Sequence, residues 1–192
     1  MIISQSPDES MGLAIFYDGG GNRTAAKLVS LPSGNALLDV TDRFMQGITV
    51  EWAPDSSKVS ANGRAGEGYE TCVIYARTEE GLSELPAPEK AVSGMIEKAM
   101  VAAREKIDVP ENADQRRIWD KFTVRKWIDK DTIELLVHAA RLNYPRDAEG
   151  KMSDEMGYDV SVSLICTLEL KDGQTWEVLE TREVGKSEVL GD

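Results

Sequence analysis

His138 is the only imidazole in a chain of 192 residues. A zinc centre of the usual nitrogen and sulfur ligands needs three or four such groups at ligand spacing, and neither a second histidine nor a close cysteine pair accompanies it. Nucleophilic catalysis meets the same shortage: a Ser–His or Cys–His dyad would have to use His138 itself, and no G-x-S-x-G turn presents a serine. A structural role for His138 is the expectation. The runs Asp18-Gly19-Gly20-Gly21-Asn22 and Gly63-Arg64-Ala65-Gly66-Glu67-Gly68 neither end in Lys-Ser/Thr nor open a helix after a buried strand, so they read as hairpin loops and not as phosphate cradles. The stretch 147–155 carries carboxylates without the D-x-D-x-D-G order or closing glutamate of a calcium loop. No catalytic residue, metal ligand or cofactor is therefore expected. Paired carboxylates are the one acid–base device that 34 Asp and Glu could still supply, and their spacing singles out no pair.

Trp119, Trp127, Tyr144 and Arg146, of the residue types that carry interface energy, are candidates clustered around the loop-bearing second half. Trp127, Tyr144 and Arg146 are the candidate partner-binding residues, although tryptophan is as often a core residue. Tyr144 and Arg146 belong to the segment 143–157, NYPRDAEGKMSDEMG, whose proline, glycines and six charges predict an exposed loop with no packing reason for its length.

The elements that would hold this loop are legible from hydrophobic period. Val160, Val162, Leu164, Cys166, Leu168 and Leu170 alternate with Ser161, Ser163, Ile165, Thr167 and Glu169, a strand with one core face. Asp172-Gly173 turns it into an antiparallel partner over 175–184. Upstream, Phe122 to Ile128 and Ile133 to Leu142 form another strand pair, whereas 114–120 is ambiguous between a helical turn and a loop. Val92, Met95, Ile96, Ala99, Ala103 and Ile107 make one apolar stripe at helical spacing, with Pro88 suited to the first turn and Asp108-Val109-Pro110 ending it. Cys72 and Cys166 each sit in a strand-like run, and reduced thiols or a bridge remain open.

The first half repeats. Residues 6–42 laid over 53–89 at an offset of 47 match at nine of thirty-seven positions, and the matches include the Pro-Asp turn and both glycine turns. Each unit parses as strand, Pro-Asp turn, strand, glycine loop, strand, glycine turn, strand, a four-stranded meander used twice. Ile48-Thr49-Val50-Glu51-Trp52-Ala53-Pro54-Asp55-Ser56-Ser57-Lys58-Val59 resembles the W-S-P-D-G-K-x-I-A-F signature of TolB-type β-propeller blades. The first unit keeps Ser6-Pro7-Asp8 without the preceding Trp or the following Gly. The resemblance covers about the first 90 residues and implies blade structure with no particular activity. No closed propeller is expected, since the period does not continue.

Composition bounds the rest. A globular make-up, with 41% hydrophobic and 29% charged residues, supports a self-sufficient core, and the −12 formal charge argues against nucleic acid and anionic lipid as partners. No apolar run is long enough for a membrane span. The location is cytoplasmic if Met1 is the native start, and cell envelope or secreted if an export signal once preceded it. The expected fold class is α+β, mostly antiparallel β. Two blade-like meanders fill 1–89, and one amphipathic helix with a C-terminal antiparallel sheet fills 90–192, packed with the first part as one unit. The expected role is a non-enzymatic binding or scaffold module for a protein partner. A carboxylate-based hydrolase and an acidic inhibitor of a basic enzyme stand as alternatives.

Overall fold

The computed structural model describes residues 1–147, 149–152 and 157–185. The fold is α+β and mostly antiparallel β. A four-stranded sheet takes β1 (Ile2–Gln5), β2 (Met11–Tyr17), β3 (Arg23–Ser30) and β4 (Ala36–Asp39) in sequence order. A second meander follows, β5 (Gln46–Trp52), β6 (Lys58–Gly66), β7 (Tyr69–Thr78) and β8 (Gly81–Glu84), and then the helix α1 (Glu89–Lys106). A third, longer meander closes the described chain: β9 (Asp114–Trp127), β10 (Thr132–Tyr144), β11 (Tyr158–Lys171) and β12 (Thr175–Glu183).

Meanders two and three share one mixed sheet. β7 lends a single edge to both: β8 pairs antiparallel with its C-terminal end, and β9 pairs parallel at two positions only, Tyr69 with Asp120 and Glu70 with Lys121. The chain thus divides between sheets after β4, and the two stretches on either side of residue 89 share one sheet.

Alternation along β7 explains how the layers stack. Tyr75 lies in one core with Leu13, Ile15, Leu28, Phe44, Val50 and Val59, and Val73 packs against it, between the first sheet and the second meander. Cys72 and Ile74, one residue out of step, point into the other core with Val92, Ile96, Leu135, Val137, Leu164 and Cys166 beneath the helix. Both cysteines are buried free thiols.

Helix α1 keeps the predicted bounds but rotates its buried stripe. Val92, Ile96 and Met100, spaced by four, are its buried side chains, whereas Ile107 is 44% exposed. The C-terminal end of α1 does not close onto the sheet. Ala99, Ala102 and Ala103 instead line a trough of about 400 Å³ against 159–163 of β11 and 183–185.

Several sequence expectations are corrected in the same physical terms. The loop expected over 64–68 shrinks to a turn at Glu67-Gly68, with Arg64 and Gly66 inside β6. The ambiguous 114–120 is the first half of β9. The Pro-Asp turns, by contrast, form as read and with one geometry. Asp8 Oδ1 accepts from Ser10 N at 3.0 Å and Asp55 Oδ1 from Ser57 N at 3.0 Å. Glu9 and Ser56 between them both take the left-handed region, at φ of 58° and 61°. The turns also meet each other, with Asp8 N donating to Ser56 Oγ at 3.0 Å.

Candidate functional site

The parallel contact between β7 and β9 fixes the geometry of the most exposed part of the third meander. Because Asp120 lies beside Tyr69, the first residue of β7, the six residues of β9 before it run past the β6–β7 turn with no strand among the described residues to meet. The last tie across this edge is Asp120 N donating to Gly68 O at 2.9 Å. Gly68 sits at φ +63°, where a Cβ would collide with the Ile118 carbonyl oxygen, so glycine is what lets the turn come this close. Beyond it Gln115, Arg116, Arg117 and Ile118 are four consecutive exposed residues, which a strand shows only where neither face is covered. The other edge of β9 is held by β10, from Asp114 opposite Tyr144 to Arg117 opposite Arg141, with a register shift beside Ile118.

Cations and aromatic rings alternate over this overhang. The Arg116 guanidinium lies 5.5 Å from the Tyr144 ring centroid, Arg117 5.6 Å from Tyr69 and Arg64 5.8 Å from Trp119. Each pair is a cation–π contact, and Arg64 also donates Nε to the Gly66 carbonyl at 3.1 Å. Arg116 adds a long contact to Met152 Sδ at 3.6 Å. Among the described residues neither Arg64 nor Arg116 has a carboxylate partner. Arg141 and Arg117 share Asp120, at 2.5 and 3.7 Å, and Lys121 reaches Glu70 at 3.4 Å.

Two of the three candidate binding residues are here. Tyr144 ends β10 under Arg116, and Arg146 bonds Asp114 at 2.8 Å and the Gly150 carbonyl, forming a bridge with Met152 that closes the loop on itself. Asp147 Oδ1 accepts from Glu149 N and Lys151 N, so this acidic side chain folds its own turn. Residues 148 and 153–156 of the expected loop lie outside the described residues. Trp127 is elsewhere: it ends β9 at the far side of the sheet, 7% exposed in the helix core, with its indole N–H donating to Glu51 O at 3.1 Å. Trp119 joins the overhang instead, through Arg64. Sequence reading passed over Arg116, Arg117 and Ile118, whose one signal is a basic run in an acidic chain.

Other chemistry-bearing groups are built into the structure. His138 and Ser163 face each other across β10 and β11, with Nδ1 and Oγ 2.8 Å apart. At this level β10 is interior, paired with β9 at Lys121, whereas β11 meets β12 only from Leu164 opposite Glu183 onward, with Val184 N donating to Ser163 O at 3.0 Å. Glu89 accepts from Tyr69 Oη at 2.8 Å and from Thr71 Oγ1. Burial and that carboxylate push the Tyr69 phenol up to about 12, so it stays a neutral donor. Burial raises the Cys72 and Cys166 thiols, which keeps them protonated and unreactive. Among the described residues no group of three His, Cys, Asp or Glu could hold a metal ion. The sequence matches no protein-family model and no curated protein.

Proposed function

We propose that this protein is a non-enzymatic binding module whose docking surface for a protein partner is the overhanging end of β9 and β10 with the turn at 146–152. One observation carries this: a strand exposed on both faces and along one edge, dressed with three arginines stacked on aromatic rings, in a protein of net charge −12. A packing role would cover such residues, whereas a docking role requires them bare.

The two N-terminal meanders serve in this reading as blade-like repeats of the TolB propeller type that stack into a rigid base. In support, β2 and β6 start 47 residues apart, at Met11 and Lys58, and the two turns preceding them have the same bonds. The left-handed positions at Glu9 and Ser56 also fall where the blade signature carries glycine.

The test compares protein immobilised as parent and as the Arg116→Ala/Tyr144→Ala double variant, with captured proteins identified from extract at equal folded fraction. Partners retained by the parent and lost by the variant are the expected result. Identical capture by the two refutes the site. Turnover by the parent of a glycosidase and esterase substrate panel, abolished by a Glu→Gln series, refutes the non-enzymatic role.

A further inference from the structure

We propose that what docks on this overhang is an acidic protein segment in extended conformation, added as a strand along the free edge of β9 at 114–118. The inference rests on the docking reading above and gives its partner a chemistry. Three features of the site select it.

The first is the edge. Residues 114–118 have their β10-facing backbone groups in the ladder, and among the described residues no backbone bond from another element reaches their opposite side. Unpaired strand groups recognise extended chain in preference to helix, because only an extended partner repeats its N–H and C=O at the same interval.

The second is charge. Arg64, Arg116, Arg117, Lys121, Arg141 and Arg146 converge here with Asp114, Asp120, Glu70, Glu67 of the adjoining turn and Asp147 and Glu149 beyond Arg146, and among the described residues Arg64 and Arg116 are the two of these cations that meet no carboxylate. Arg64 spends Nε on the Gly66 carbonyl and Arg116 one N–H on Met152 Sδ, and their remaining guanidinium N–H groups are donors of the kind that take a carboxylate. The anionic field around the strip repels an acidic segment unless its carboxylates fall at the interval that meets these arginines.

The third is the apolar component. Ile118 is 44% exposed, next in the strand to Trp119. A segment alternating acidic and β-branched residues would set its carboxylates on one row and its apolar side chains on the other.

Arginines and a register shift are also devices that keep an edge from pairing with a second copy of the same chain. The two roles separate experimentally, because a purely protective edge rejects every added strand.

The probe is a synthetic decapeptide alternating Glu and Val, measured with the full chain by fluorescence anisotropy and by amide hydrogen exchange. Three comparison peptides accompany it: Lys for Glu, Pro at two alternate Val positions, and all Glu. The Glu-Val peptide should bind, weaken by about tenfold between about 50 and 300 mM NaCl, and slow exchange at the amides of 115–118. The Pro and Lys peptides should bind at least about tenfold more weakly. The Arg116→Glu/Arg117→Glu variant should lose the Glu-Val peptide and gain the Lys-Val one, a gain that a misfolded variant could not show. Equal binding of the Pro or all-Glu peptide, absence of binding at low salt, or exchange protection elsewhere overturns the proposal. If the peptides fail while extract capture still depends on Arg116 and Tyr144, the docking site stands and only its acidic-strand chemistry falls.

Discussion

Asn62 ties the second meander to the third and offers a sharp test of how the layers are joined. Its amide acts as one more peptide unit: Oδ1 accepts from Val124 N at 3.0 Å and Nδ2 donates to Val124 O at 3.1 Å, with Asn62 4% and Val124 1% exposed. β9 has left β7 by this point, so the side chain supplies the pairing that a strand would have given. In Asn62→Asp the acceptor survives but the donor becomes a second anionic oxygen facing the Val124 carbonyl. Losing the bond and leaving both oxygens buried without a donor should cost about 3 kcal/mol at pH 7. Protonation restores an O–H in the place of Nδ2, so the folded state holds this carboxyl's pKa above its unfolded value near 3.9. The lost stability therefore returns as pH falls towards 4 and disappears again as pH rises through the folded pKa. Urea unfolding followed by tryptophan fluorescence at pH 7 and pH 5 would read this as a midpoint about 1.5 M below the parent's that narrows at the lower pH, for a slope of about 2 kcal/mol/M. A deficit under about 1 kcal/mol, or one that ignores pH while the parent's own stability is flat, would refute the mock-peptide role.

Four further outcomes follow from the same geometry. Glu9→Gly removes a side chain from a left-handed position at φ 58°, and should raise stability by about 0.5–1 kcal/mol in chemical unfolding, whereas a strain-free turn would show no gain. Gly68→Ala places a methyl against the Ile118 carbonyl at φ +63°, and should lower the melting temperature by several degrees and loosen exchange at Asp120 N; an unchanged melting curve would mean the turn can back away. Trp127→Phe gives up the indole bond to Glu51 O and should destabilise by about 1 kcal/mol without altering peptide or partner binding, which a binding role for Trp127 contradicts. Hydrogen bonds from Ser6 and Ser10 hold the Asp8 carboxyl well below the usual range, so its contribution is present above about pH 4 and lost as pH falls. Asp8→Asn should accordingly flatten stability across that acidic range, and a pH profile parallel to the parent's counts against it.

How much of this was legible in the sequence depends on which force each residue answers to. β11 buries Val160, Leu164, Cys166, Leu168 and Leu170 as its alternation predicts, with Val162 half-buried beside them and Ile165 buried on the opposite face. The Pro-Asp turns were equally legible, since Asp8 and Asp55 fold them with their own side chains. Ser60 and Asn62 mislead for the opposite reason. They alternate with Val59 and Ala61 as an outward polar face should, yet both are buried, and Asn62 is covered because β9 crosses above it, a contact made 62 residues away. Helix α1 drifts similarly: a row spaced by four follows the sheet, so Met100 replaces Ile107, whose turn lies beyond the end of β12.

The overhang was illegible, and the cause of that is also what the docking proposal rests on. Hydrophobic period encodes which face of a strand is buried. Residues 114–118 bury neither, so DQRRI carries no period, and the segment reads equally as a turn or a loop. Its strand conformation comes from β10 alone, which continues to Tyr144 past the point where the second meander ends. A strand maintained from one side, with its other edge bare and its side chains free of packing duty, leaves residue types to be set by what lies outside the fold. Arginine and tryptophan are poor choices for such a position if solubility were the only demand, since lysine and glutamate blunt an edge without exposing rings or Ile118. Guanidinium groups over aromatic rings beside an open ladder fit the proposed recognition of an extended acidic chain, and on that proposal the loss of the periodic signal and the docking edge have one structural origin.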